Sequence, residues 1–160
     1  MACLTSFVRG LIDEESAEDS ETNLANRKLI EPFSAQLATG VSDYLQKSID
    51  AKYEPLQAEV LVMLSCLASV LDTSFAPFYG KFIPGLKSIL SSVKWETQKD
   101  QELRSNCIES IGYILTSVKD KPEICKADAI EICQMITECL VNGNLQDSDP
   151  QLTSIPNTIA

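Results

Sequence analysis

The chain has 160 residues, 44% of them apolar and 22% charged, so it carries enough apolar material to bury a core. A net charge of −10 argues against nucleic acid, because phosphate binding needs a basic footprint, and it favours basic protein partners instead. Six cysteines without a CxxC spacing, in a chain with no histidine, argue against zinc and predict reduced, core-filling thiols in a cytosolic or nuclear compartment.

Residues 1–12 place Cys3, Leu4, Phe7, Val8, Leu11 and Ile12 at the spacing of one helical face. No capping residue precedes them, so they read as the remainder of a helix that starts outside the sequence. They lack the basic start and small-residue cleavage site of a secretory leader. No run approaches the roughly 18 apolar residues of a membrane span, so membrane insertion is not expected. Asp13, Glu14, Glu15, Glu18, Asp19 and Glu21 then crowd into residues 13–21, with no apolar side chain larger than alanine between them. That predicts a solvated acidic loop, because such a run cannot bury enough surface to offset its ordering entropy.

Residues 27–47 predict a helix with Pro32 in its opening turn and an apolar face of Phe33, Leu37, Val41, Tyr44 and Leu45. Residues 53–71 predict the next, with Pro55 in its first turn and Leu56, Val60, Met63, Leu64, Leu67, Ala68 and Leu71 on one side. Asp72, Thr73 and Ser74 are N-cap candidates for a helix over 75–90, in which Pro84 removes a backbone bond and predicts a kink near Gly80. This helix repeats the one 45 residues earlier: Pro32, Phe33, Leu37, Gly40, Val41, Tyr44 and Leu45 match Pro77, Phe78, Phe82, Gly85, Leu86, Ile89 and Leu90. Glycine inside a helix costs about 1 kcal/mol relative to alanine, so Gly40 and Gly85 predict close approach of a neighbouring helix at both places.

Residues 91–101 read as a polar connection carrying Trp95. Residues 102–118 then repeat the 53–71 helix at an offset of 44, setting Cys107, Ile108, Ile111, Gly112 and Leu115 on Met63, Leu64, Leu67, Ala68 and Leu71. Leu4, Phe7, Val8 and Leu11 match Leu64, Leu67, Ala68 and Leu71 at an offset of 60, and the extra residues coincide with the acidic loop. A helix over 122–142 follows, with Ile124, Ala127, Ala129, Ile130, Ile132, Cys133, Ile136 and Leu140 as its apolar surface and Asn142-Gly-Asn144 as its stop. Asp149 and Pro150 signal a further helix that is cut off at Ala160.

A period near 45 fits stacked helical pairs. The chain is expected to be all-α, with repeats at 1–48 (acidic loop inserted at 13–22), 53–93 and 100–142, and the start of a further, truncated repeat at 149–160. Paired helices with a kinking proline in the second member and small residues at the packing points resemble HEAT repeats, which implies a right-handed solenoid of antiparallel helix pairs. Phe75-Ala-Pro-Phe-Tyr79, Phe82-Ile-Pro-Gly-Leu86, Cys107-Ile-Glu-Ser-Ile-Gly112 and the acidic Asp147-Ser-Asp-Pro-Gln151 turn are similar to the middle of the importin-beta (karyopherin-beta) family. The likeness runs from about residue 60 to residue 160 and is loose before that. It implies a nuclear transport receptor that takes basic localisation signals of protein cargo on its inner surface, crosses the pore through Phe-Gly nucleoporins and releases cargo to Ran-GTP. Such a protein is found in the cytoplasm and the nucleus, including the nuclear pore. The family's tryptophan and asparagine cargo ladders have no counterpart here, because Trp95 lies in a connection.

On the 122–142 helix, Asp128, Glu131, Glu138 and Asn142 share one polar face interrupted by Met135. In the family the second helix of each pair faces the concave side, so this stripe is a candidate contact for lysine-rich cargo; the plainer reading is an ordinary solvated face. The acidic loop is a second candidate, as a contact for basic cargo or for Ran, against a surface insertion without a role. The chain has no histidine base and no glycine-rich phosphate loop, and its serines lack an activating partner, so neither catalysis nor a cofactor or metal is expected. Two classes remain open: a transport receptor, or a HEAT scaffold of the phosphatase-regulatory or assembly-factor type that binds protein partners without Ran.

Overall fold

The computed structural model describes residues 2–11, 21–94, 96–142, 149, 150, 152 and 155; among them there are helices and turns and no strand. The helices given bounds among the described residues are α1 (Ala2–Arg9), α2 (Glu21–Ile30), α3 (Ser34–Asp50), α4 (Glu54–Leu71), α5 (Tyr79–Ser92), α6 (Gln98–Ser117) and α7 (Pro122–Asn142). The expected 27–47 helix differs in two ways. It starts six residues earlier, at Glu21, so Glu21 opens a helix and does not close a loop. It is also broken at Glu31–Phe33, a short 3₁₀ segment around Pro32, whose ring and missing N–H interrupt the α-helical bonding.

The helices lie in two rows. In one row α4 packs between α1 and α6; in the other α5 packs between α3 and α7; α3 against α4 and α5 against α6 join the rows. The most extensive packing is α4 against α6, the pair that the 44-residue offset aligned. Helix α4 is buried on more than the one side expected of it: Leu61, Cys66 and Val70 are covered as well as Val60, Met63, Leu64, Leu67, Ala68 and Leu71. A helix that is apolar most of the way round belongs in the interior, and α4 has neighbours in α1, α2, α3 and α6.

Helix α4 runs through a 3₁₀ stretch, Asp72–Phe78, into α5. The resulting 39-residue segment, Glu54–Ser92, contains an 18-residue window of mean hydropathy 1.7, long and apolar enough to cross a membrane by length and composition, contrary to expectation. Two thirds (67%) of that window is buried inside the fold, as in a core helix. The N-cap expected from Asp72, Thr73 and Ser74 is also not formed, since no side chain caps this junction. Instead the Arg27 guanidinium pairs with the Asp72 carboxylate at 3.0 Å and donates to the Val70 carbonyl, tying α2 to the end of α4. Asp72 holds a φ of 44° and a ψ of −126°, a backbone conformation rare for a residue with a side chain.

The connection expected over 91–101 is shorter, because α6 begins at Gln98 behind a capping box. The Thr97 hydroxyl accepts from the Asp100 amide, and the Asp100 carboxylate accepts from the amides of Thr97 and Glu96. On α7 the broad apolar surface narrows: Ile132, Ile136 and Cys139 are buried, whereas Ile124, Ala127, Ile130 and Cys133 are exposed. Phe33 and Tyr44 are likewise exposed, leaving Ala38, Val41 and Leu45 to anchor α3. Of the cysteines, Cys66, Cys107 and Cys139 fill the core as expected, Cys125 is half-buried, and Cys3 and Cys133 face outward.

Candidate functional site

The acidic stripe on α7 is held against α5. The Lys87 ammonium reaches Asp128 at 2.6 Å and Glu131 at 2.5 Å, and the Tyr79 hydroxyl donates to Asp128 at 3.2 Å. The two carboxylates hydrogen-bond the Lys87 ammonium and raise its pKa. Burial, reinforced by the neighbouring Asp128 charge, raises that of the Tyr79 phenol. Two of the three stripe acids are thus partly neutralised from within the molecule, a feature that no spacing along α7 predicts. Glu138 is exposed one stretch further along, and Met135, the interruption, is half-buried. The backbone of Asn142 closes α7.

Of the acidic loop, Asp13, Glu14, Glu15, Glu18 and Asp19 lie outside the described residues, and Glu21 is exposed in the first turn of α2. There its charge complements the helix dipole.

A second polar centre was not anticipated. Arg104, only 1% exposed, sits four and seven residues before the buried Ile108 and Ile111, on the apolar side of α6. It donates to the Lys94 carbonyl. Burial lowers its pKa, opposed by Cys139 and the carboxylates of Asp149 and Asp100. An arginine in phase with an isoleucine stripe was the available signal. Arg104 ties α6 to the α5–α6 connection and lies near Asp149.

A cleft of about 560 Å³ between α2, α4 and α6 is lined by Asn23, Arg27, Ser69, Asn106, Glu109 and Tyr113 among others. A second, apolar groove of about 360 Å³ runs between α1 and the α2–α3 junction. Among the described residues no three His, Cys, Asp or Glu side chains are grouped to hold a metal ion. The lining of the first cleft mixes charged, polar and apolar side chains, whereas that of the second is apolar apart from Gln36. No family model and no solved structure matches this chain.

Proposed function

We propose that the chain forms part of a HEAT-type solenoid in a nuclear transport receptor of the importin-beta family, most like the branch called karyopherin beta-three. One observation carries the array reading. Among the described residues, side-chain hydrogen bonds between distant parts of the chain gather at 42–49 residues: Lys81 to Thr39 at 42, Ser74 to Glu31 and Arg27 to Val70 at 43, Lys87 to Glu131 at 44, Ser65 to Ser110 at 45, and Tyr79 to Asp128 and Ser110 to Leu61 at 49; Asn26 to Leu11 at 15 and Cys107 to Leu86 at 21 fall outside that range. A closed globular core would mix many separations, whereas an array in which each unit touches only its neighbours concentrates contacts at one period.

The transport reading adds the motifs around Pro77, Pro84 and Gly112 and a net charge of −10, which suits basic localisation signals. Its partners are basic protein cargo, Ran-GTP and Phe-Gly nucleoporins, and its setting is the cytoplasm, the nucleus and the pore between them. The test is binding of the full-length protein to immobilised Ran in its GTP and GDP forms, and to a lysine-rich localisation peptide. Preference for the GTP form together with peptide binding is expected. Equal or absent binding to both forms would place the protein among scaffolds that hold partners without Ran.

A further inference from the structure

We infer that α2 is a detachable strap that gates the cleft between α4 and α6: it lifts as one unit when its polar contacts break, while the helices beneath it stay packed. The strap acts whether or not the chain belongs to an array or serves transport. A surface helix ordinarily turns its apolar side inward. Helix α2 does the reverse. Among its described side chains, the half-buried ones are Asn23, Asn26 and Arg27, and the buried Ile30 completes that face; Leu24 and Leu29 point outward, 39% and 66% exposed.

Directional bonds therefore hold α2 in place. Asn26 Nδ2 donates to the Leu11 carbonyl at 2.9 Å, Arg27 Nε donates to the Val70 carbonyl at 3.3 Å, and the Arg27 guanidinium pairs with Asp72 at 3.0 Å. Both members of that pair are partly exposed, so water competes for them, and each hydrogen bond lost on opening is largely replaced by one to water. The helix cannot rely on itself either, since its ten residues are fewer than an isolated helix needs. Little apolar burial combined with partly solvated polar contacts marks a segment that opens locally, well below the free energy of global unfolding. Helix α4 is the opposite case, with Leu64, Leu67 and Leu71 fully buried. Asn23 and Arg27 form one side of the 560 Å³ cleft, and Cys66, Ser69 and Val70 present one face of α4 as its floor. Arg27 grips α4 at Val70, one turn beyond Cys66, which is buried although it lines the cleft. Lifting α2 uncovers that floor.

Amide hydrogen exchange of the chain measures the opening, and labelling of Cys66 by iodoacetamide, read by mass spectrometry, measures access to the floor. Amides 25–30 of α2 are expected to exchange together, at least about a hundredfold faster than those of Leu64, Leu67 and Leu71. Arg27→Met should speed α2 exchange and Cys66 labelling in step, by about tenfold, whereas Leu29→Ala should change neither by more than about twofold. Ile89→Val, in the core of α5 and away from the strap, should speed α4 exchange and labelling of the buried Cys107 by about fivefold and leave α2 exchange and Cys66 labelling as they were. Four results would overturn the inference. They are α2 amides as protected as those of α4, equal acceleration of α2 and α4 by Ile89→Val, Leu29→Ala acting as strongly as Arg27→Met, or Cys66 labelling that does not follow α2 exchange.

Discussion

Gly40 and Gly85 separate what a residue contributes through the helix from what it contributes through packing. At Gly40 a methyl group meets open space, so Gly40→Ala should raise stability by about 1 kcal/mol through helix propensity alone. At Gly85 the same methyl presses on Leu45, and the larger Gly85→Leu should lower stability by about 1–3 kcal/mol through overpacking. Denaturant titration of the two pairs reads this contrast directly, and equal effects at both glycines would contradict it. Asp100 supplies a second test. Burial would raise its pKa, but the hydrogen bonds from Thr97 and Glu96, helped by the Arg104 charge, outweigh this and hold it below the usual carboxylate range. A carboxylate depressed in the folded state adds stability above its unfolded pKa of about 4, and that stability is lost as pH falls through the folded value. The gap in melting temperature between wild type and Asp100→Asn should therefore be present at neutral pH and close under acid. Arg104→Leu should cost about 3–5 kcal/mol, the range for removing one partner of a buried charged group, since Asp100 and Asp149 are both buried beside it.

At the scale of elements, the positions of α1 and α4 to α7 were legible because their apolar residues recur at helical spacing and Pro55 and Pro122 mark two of the starts. The break at Pro32 was misread because proline is tolerated both in a first turn and at a junction, and only the preceding helix, α2, decides between them. Helix α2 itself was hidden: Thr22, Asn23 and Asn26 give it a polar composition with little apolar periodicity, and its place is set by Arg27 reaching across to Asp72. The capping box at Thr97 and Asp100 was visible in type but was read as part of a polar connection. Of the α7 stripe, the common face was legible and its engagement was not, because Lys87 is on another helix. Replacing that lysine tests what it restrains. Lys87→Met should lower stability by about 1 kcal/mol, in keeping with a partly exposed ion pair, and should strengthen binding of a lysine-rich peptide to the full-length protein by freeing Asp128 and Glu131. Glu131→Lys with Glu138→Lys should weaken the same binding and flatten its salt dependence without changing helicity. Unchanged affinity in both variants would return the stripe to a solvated face.

Across the whole molecule, the 44- and 45-residue offsets found in the sequence reappear as physical contacts, α4 on α6 and α3 on α5, and as hydrogen bonds at that spacing. The offset was legible because residues 44 or 45 apart share their type, as Leu64 and Ile108 or Val41 and Leu86 do. Which surfaces the units leave free was not legible, since exposure of Phe7, Leu29 or Phe33 depends on what stands beside them. For the transport function that we propose, the most direct measurement is displacement of cargo. A fluorescent lysine-rich localisation peptide bound to the full-length protein at physiological salt should be released on titration with Ran-GTP and retained with Ran-GDP. Release by neither form, or by both alike, would contradict the transport reading and leave a helical-repeat scaffold in its place.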